Sequence, residues 1–175
     1  MTATAKISKT LSITLKDANG NAIANKVITY SVNGVTKTAT TNANGVAKIT
    51  VNRVAGTYYY ALCFLGDDDY KASFKTVKVT VKKQAVKATF AKATLKVKKV
   101  KNVKFTLKDS KGKAIKGKKI TIKVNGKTFS AKTNSKGVAT IKVKVSKKGK
   151  FTATAKFAGD NTYKAISKKA YFTVK

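Results

Sequence analysis

The sequence contains one residue pattern twice, and this duplication limits the chain to two copies of a single small fold. Residues 14–17 read Thr-Leu-Lys-Asp, and the same four residues return at 106–109, 92 positions later. Residues 45–47, Gly-Val-Ala, return at 137–139 with the same spacing. Further along, a one-residue insertion raises the spacing to 93. Matches at a fixed spacing mark an internal repeat, so the sequence predicts two domains of similar structure.

Within each copy, apolar and polar residues alternate. In residues 119–124 isoleucine or valine fills every second position, with lysine or threonine between. Side chains on a strand point alternately to opposite faces, so this pattern buries one face and leaves the other in water. Asn-Gly and Lys-Gly pairs separate the runs and predict turns. In the first copy the predicted strands are 3–8, 10–17, 26–33, 35–41, 46–52, 57–65 and 74–81.

About seven short, half-buried strands in each copy favour two sheets packed face to face. No segment longer than a turn predicts a helix. We therefore predict an all-β chain of two tandem β-sandwich domains, residues 1–83 and 84–175. No stretch approaches the roughly 18 apolar residues that a membrane-spanning helix needs, so we expect no membrane span.

The order of the turn motifs carries a resemblance to a known family. Thr-Leu-Lys-Asp-x-x-Gly, Val-Asn-Gly, Thr-Asn-x-x-Gly-Val-Ala and Gly-Asp-x-x-Tyr-Lys-Ala follow one another in both copies. This series resembles the bacterial Ig-like repeats of prokaryotic surface proteins, and most closely the lysine-rich adhesin-like proteins of methanogenic archaea. The resemblance implies an immunoglobulin-like fold and extracellular display at the cell surface. It supplies no catalytic residues.

The composition argues against an enzyme. The chain has no histidine, and direct reading finds no glutamate, so the usual general bases and an imidazole metal site are missing. We expect no catalytic residues and no cofactor. Cys63 is the single cysteine, which excludes a disulfide within one chain and leaves a buried residue, an exposed thiol or a bridge between chains.

Only six acidic residues are present, all aspartates. Asp17 and Asp109 precede equivalent glycine turns, and Asp67 and Asp160 follow equivalent glycines. Carboxylates at such positions accept hydrogen bonds from nearby backbone N–H groups, which is the role we predict for these four. The run Asp67, Asp68 and Asp69 is a weak calcium candidate, since it concentrates oxygen ligands. Otherwise we predict no metal site.

Lysine dominates the charge and is unevenly spread. Residues 1–83 hold 12 basic and 4 acidic residues, whereas residues 84–175 hold 27 and 2, giving net charges of +8 and +25. On the strands of the second copy we predict that exposed lysines contact anionic polymers, or serve only as a solubilising face. These candidate contact residues are Lys104, Lys108, Lys119, Lys123, Lys142, Lys144 and Lys156.

One strand of the first copy predicts an apolar surface. If Tyr58 and its alternate neighbours point inward, then Tyr59, Ala61, Cys63 and Leu65 point outward. Exposed apolar strips often mark contacts with another domain, a subunit or a glycan. The alternative, which we favour, is that a loop or the N-terminal segment covers this strip.

Together these features predict a noncatalytic extracellular module that acts as a stalk or an adhesion domain at the cell surface. We expect the chain to be a segment of a longer protein, with a complete cytosolic protein as the alternative. Its expected partners are neighbouring Ig-like repeats and anionic surface polymers or glycans. The alternative function is nonspecific binding of polyanions or nucleic acid. Specific nucleic-acid recognition is not expected, because the chain has one arginine, Arg53, and no tryptophan.

Overall fold

The computed structural model describes residues 1–175 and contains strands and turns without a helix. The chain forms two compact units, Met1–Lys83 and Gln84–Lys175, which we call unit 1 and unit 2. No helix of the protein has the length and apolar character needed to cross a bilayer.

Unit 1 contains seven strands arranged in two sheets. Its strands are β1 (Thr2–Thr4), β2 (Lys9–Thr14), β3 (Val27–Val32), β4 (Val35–Thr40), β5 (Val46–Val51), β6 (Gly56–Phe64) and β7 (Ser73–Lys82). One sheet has the order β1-β7-β6-β3-β4, and the other contains only β2 and β5. All pairings are antiparallel except that of β1 with β7.

Unit 2 repeats this arrangement with one additional strand. Its strands are β8 (Val86–Phe90), β9 (Ala93–Leu95), β10 (Val100–Asp109), β11 (Lys119–Val124), β12 (Lys127–Lys132), β13 (Val138–Lys144), β14 (Gly149–Phe157) and β15 (Ile166–Val174). The five-stranded sheet has the order β12-β11-β14-β15-β9, and the three-stranded sheet has the order β13-β10-β8. β9 runs parallel to β15, as β1 does to β7.

Two β-sandwiches of about seven strands were predicted, and this fold is confirmed. The prediction differs at the N-terminus, where one strand was expected over residues 3–8. The strand ends at Thr4 because Lys6 adopts a positive φ of 55° and its N–H bonds to the carbonyl of Arg53. This turn lets the chain leave the five-stranded sheet and enter the other sheet as β2.

Each unit has its own apolar core, built from the inward face of its strands. In unit 1 Ile49, Tyr60 and Val79 are almost completely buried, and in unit 2 Phe105 and Phe172 are as well. Burying a large apolar side chain contributes roughly 1.5–3 kcal/mol, so the alternating pattern provides most of the driving force for folding. No buried side-chain nitrogen or oxygen lacks a hydrogen-bond partner.

Gly45 is a position where the sandwich leaves no room for a side chain. Its φ is 69°, and an added Cβ would lie 2.6 Å from the carbonyl oxygen of Leu15. Its own carbonyl accepts the Leu15 N–H at 2.9 Å. The loop before β5 therefore seats directly on the chain that follows β2, which explains the glycine in the Thr-Asn-x-x-Gly-Val-Ala motif.

We predict that Gly45→Ala destabilises unit 1 much more than Gly34→Ala. Both residues have a positive φ, so each alanine costs roughly 1–2 kcal/mol in backbone strain. At Gly34 nothing lies within 4 Å of the added Cβ, whereas at Gly45 the overlap costs about a further 1–3 kcal/mol. Urea unfolding followed by tyrosine fluorescence measures the difference, and equal losses of stability would contradict the close approach.

Candidate functional site

A lysine–aspartate–tyrosine cluster occurs once in each unit. In unit 1 the Lys26 ammonium nitrogen lies 2.7 Å from Oδ2 of Asp67 and 5.4 Å from the ring centre of Tyr70. In unit 2 the same distances are 2.7 Å from Lys118 to Asp160 and 5.5 Å to the ring of Tyr163. The clusters fasten the loop after β6 to the start of β3 in unit 1, and the loop after β14 to the start of β11 in unit 2.

A buried threonine positions each of these lysines. The hydroxyl oxygen of Thr41 accepts the backbone N–H of Lys26 at 2.9 Å, and Thr133 does the same for Lys118. The Thr133 hydroxyl donates in turn to the Ile115 carbonyl at 2.7 Å. Both threonines are almost fully buried, so these hydrogen bonds tie the residues just before β3 and β11 to the interior of each unit.

The four aspartates that were predicted to accept backbone N–H groups in turns do accept them. Asp17 accepts the N–H groups of Asn19 and Asn21 at 2.9 and 2.8 Å, and Asp109 accepts two equivalent N–H groups. Asp67 accepts those of Asp69 and Tyr70. Asp160 accepts the N–H groups two and three residues further on.

The calcium candidate Asp67, Asp68 and Asp69 does not form a cluster that could hold a metal ion. One oxygen of Asp67 accepts two backbone N–H groups and the other pairs with Lys26. The lysine therefore occupies the position that a cation would need next to this carboxylate. We assign this loop a structural role.

These contacts shift the pKa values of residues in the two clusters. The hydrogen bond from Lys26 lowers the pKa of Asp67, and the same bond raises the pKa of Lys26. For Asp160, desolvation is the largest influence and opposes ionisation. The Lys118 hydrogen bond and two backbone N–H groups outweigh it, so the pKa of Asp160 is also lowered. Burial raises the pKa of Tyr163.

The lysines predicted to contact anions are all exposed, but the structure divides them between two opposite faces of unit 2. The outer face of the three-stranded sheet, which we call the three-stranded face, carries five lysines. They are Lys87, Lys104, Lys108, Lys142 and Lys144. Between them lie neutral residues such as Thr89, Asn102 and Thr140.

The outer side of the other sheet, the five-stranded face, carries the remaining predicted lysines. Its lysines are Lys119, Lys123, Lys132, Lys150, Lys156 and Lys169. The predicted seven thus form a group of four on one face and a group of three on the other. No single surface contains them all.

Neither face contains a carboxylate that could neutralise it. Unit 2 has two aspartates, Asp109 and Asp160, and only Asp160 forms a salt bridge. In addition, Lys87 lies directly opposite Lys108 across the strand pair, and like charges placed opposite each other destabilise a sheet. Both faces are therefore sites of unbalanced positive charge.

The apolar strip predicted on β6 lies on the outer face of unit 1. Tyr59 and Leu65 are 58% and 76% exposed, Ala61 is exposed, and Cys63 is half-buried. Neither a loop nor the N-terminal segment covers the strip, although covering was the favoured interpretation. Phe74, opposite Cys63 on β7, extends the strip with 75% of its surface exposed.

A shallow cleft of about 370 Å³ lies in this apolar face, between β3, β6 and β7. Cys63, Ala61 and Phe74 line it together with threonine and serine side chains from β3 and β4. Phe74 was not predicted, because its place on this face depends on the pairing of β6 with β7.

Lys26 and Lys118, the cations of the two clusters, were not among the residues predicted from the sequence. A signal was available, because they are 92 positions apart and their aspartates are 93 apart, like the other repeated positions. In a chain with so many lysines, this repeat spacing alone does not distinguish Lys26 and Lys118 from the solvent-exposed lysines.

Comparison with known proteins establishes the fold. No protein-family model and no curated protein matches the sequence. Among solved structures, the chain is similar to invasin, described as a bacterial integrin-binding protein, with a TM-score of 0.56 and 18% identity. It is also similar to domains of titin, with a TM-score of 0.52 and 9% identity.

The alignments cover 99% of this chain but only 37% of the invasin chain and 62% of the titin chain. The units are thus immunoglobulin-like β-sandwiches. Since an integrin-binding protein and titin share this fold with the chain at such low identity, the similarity does not by itself define an activity.

We predict that Asp67→Asn destabilises unit 1 at neutral pH and that this loss disappears in acid. The folded state lowers the pKa of Asp67, so its stabilising effect is complete above the ordinary aspartate pKa of about 4 and is lost as the pH falls through the lowered value. Thermal unfolding at a series of pH values measures the effect.

Asp68→Asn is the matched control, because it removes the same charge from the same loop without removing the Lys26 contact. We expect it to change the unfolding temperature little at any pH. If Asp67→Asn and Asp68→Asn gave parallel curves, the cluster would not stabilise the loop.

Proposed function

We propose that the chain is a noncatalytic, extracellular adhesin-like module that contacts anionic cell-surface or cell-wall polymers through the lysine faces of unit 2. The observation that carries this proposal is the absence of carboxylates from both faces, which leaves the lysine charge unbalanced. An anionic polymer laid on such a face replaces many counterions at once, and their release favours binding.

The strand geometry suits a repeating anion. Lys142 and Lys144 are two residues apart on β13, which places their Cα atoms about 7 Å apart along the strand. The residues opposite them on β10 are Asn102 and Val100, and the next lysine is Lys104, the diagonal neighbour of Lys142 at about 7–8 Å. These separations lie within the screening length of about 8 Å at physiological salt, so the lysines act together on one chain of charges.

Each contact of this type is weak, since exposed ion pairs contribute at most about 1 kcal/mol. Affinity then depends on the number of contacts, which a polymer and a repeated module both supply. The resemblance of the turn motifs to adhesin-like proteins of methanogenic archaea supports surface display. The fold shared with invasin is compatible with the same role.

A noncatalytic role agrees with how the acidic groups are used. Asp17, Asp67, Asp109 and Asp160 all bind turn N–H groups, which leaves Asp68 and Asp69 as the carboxylates without a described bond. We propose no reaction for this chain.

Nonspecific binding of nucleic acid is the competing function. A lysine surface neutralises phosphates, but base recognition relies on arginine forks or stacked aromatic rings. The three-stranded face presents lysine, threonine, asparagine and two valines without an aromatic ring, and the five-stranded face has one exposed ring, Tyr171. We therefore favour an anionic surface polymer over DNA.

We predict that Lys104→Ser, Lys142→Thr and Lys144→Asn together weaken binding to poly(glycerol phosphate) about tenfold near 0.15 M salt and flatten its salt dependence. Unit 1 already carries Ser12, Thr50 and Asn52 at the equivalent positions, so the fold accepts these residues. Titration monitored by fluorescence anisotropy of the labelled polymer, repeated at several salt concentrations, measures both effects.

The control variant removes the same charge outside both faces. It carries Lys111→Asn, Lys113→Asn and Lys136→Asn, which are also the residues of unit 1 at those positions. Equal weakening by both variants would show that net charge rather than the face binds the polymer. Stronger retention of random duplex DNA than of the polymer at 0.15 M salt would favour the nucleic-acid function.

A further inference from the structure

In unit 2 the strand β8 completes one edge of the sandwich. It pairs with β10, with Phe90 opposite Phe105 and Ala88 opposite Leu107. The Phe90 ring centre lies 6.1 Å from that of Phe105 and 5.6 Å from that of Phe172, which belongs to the other sheet. β8 therefore joins the two sheets along their shared edge, and Phe105 and Leu107 have no exposed surface.

Unit 1 has no strand at the equivalent edge. Its β2 corresponds to β10 at the repeat spacing but pairs only with β5. The residues that correspond to Phe105 and Leu107 are Ile13 and Leu15, and both are only half-buried. The core of unit 1 is thus accessible at the place where β8 covers the core of unit 2.

Two clefts follow this edge of unit 1. The smaller cleft, of about 170 Å³, is lined by Ile13, Leu15, Phe64 and Ser73. The larger cleft, of about 420 Å³, is lined by Leu15, Phe64, Ser73 and residues of the Asp17 turn. They lie between β2 and the start of β7, as β8 lies between β10 and β15 in unit 2. Their apolar floor is continuous with the core.

The backbone at the end of β2 and in the two residues after it also offers hydrogen bonds at this edge. The N–H of Leu15 bonds to the Gly45 carbonyl on the side of β5. Because successive N–H groups of a strand point to opposite edges, those of Thr14 and Lys16 point to the edge without a strand. In unit 2 the residues equivalent to Thr14 and Lys16 are the ones paired with Thr89 and Lys87 of β8.

We propose that this edge of unit 1 accepts an extended strand with the pattern of β8, which binds antiparallel to β2. The incoming strand carries apolar side chains at alternate positions, as Val86, Ala88 and Phe90 do, and polar side chains between them. Its backbone bonds to Thr14 and Lys16, and its apolar side chains fill the two clefts. The partner is thus a peptide strand with the sequence pattern of β8. It is recognised by adding a strand to the edge of a sheet.

The side chains of unit 1 accommodate such a strand. Ile13 stands where unit 2 has Phe105, so the incoming aromatic ring meets a smaller, half-buried neighbour there. Lysine in the strand opposite Lys16 is accepted as well, since unit 2 holds Lys87 opposite Lys108.

A graft tests this proposal in the full chain. Residues 84–92 are placed directly before Met1, which corresponds to Ala93, so the spacing between the added strand and β1 equals that between β8 and β9. We expect amide hydrogen exchange at Thr14 and Lys16 to slow at least about tenfold relative to the unmodified protein. The unfolding temperature of unit 1, followed by tyrosine fluorescence, should rise.

The control graft carries Val86→Ser, Ala88→Ser and Phe90→Ser within the added segment and should leave exchange at Thr14 unchanged. No slowing with the unchanged graft would overturn the proposal, and equal slowing with both grafts would overturn the need for apolar side chains. If the Thr14 amide of the unmodified protein were already protected in proportion to protein concentration, a second copy would occupy the edge, which also contradicts the proposal.

Discussion

Both units depend on the packing of one apolar sheet face against another. Every second residue of the strands enters this contact, and it buries the large side chains such as Tyr60 in unit 1 and Phe172 in unit 2. The remaining structure serves to bring the two faces together: Gly45 lets a loop approach the backbone at Leu15, and the lysine–aspartate–tyrosine clusters fasten the loops at the strand ends. Since the contact uses inward residues alone, it leaves the outward residues free to vary.

Because the outward residues can vary independently of the core, the same fold carries an apolar outer face in unit 1 and a lysine-rich one in unit 2. Where unit 1 has Cys63 and Val27, unit 2 has Lys156 and Lys119, and each pair occupies an equivalent outward position. None of these residues belongs to a core. Their exchange turns an apolar face into a charged one, so that units of the same fold can be suited to different contacts.

The fold could be predicted because alternation, turn residues and duplication are local in sequence and all indicate the same structure. The seven strands of unit 1 follow from that pattern, as do the hydrogen bonds of Asp17 and Asp109 in their turns. What could not be predicted depends on pairing between distant residues. The role of Lys26 requires knowing that the Asp67 loop lies beside β3, and the division of the lysines between two faces requires knowing which strands share a sheet. The free edge of β2 likewise becomes visible only when its neighbours are known.

The parallel strand pairs β1–β7 and β9–β15 have a mechanical consequence. β1 lies beside the end of β7, and β9 beside the end of β15, with both members of each pair pointing the same way. In unit 1, tension applied to the two ends pulls β1 and β7 in opposite directions, and the load falls on all their connecting hydrogen bonds in shear. Several bonds must then break together rather than one after another, which raises the barrier that controls forced unfolding. Unit 1 is therefore built to resist extension along its chain, whereas in unit 2 the strand β8 is loaded before β9.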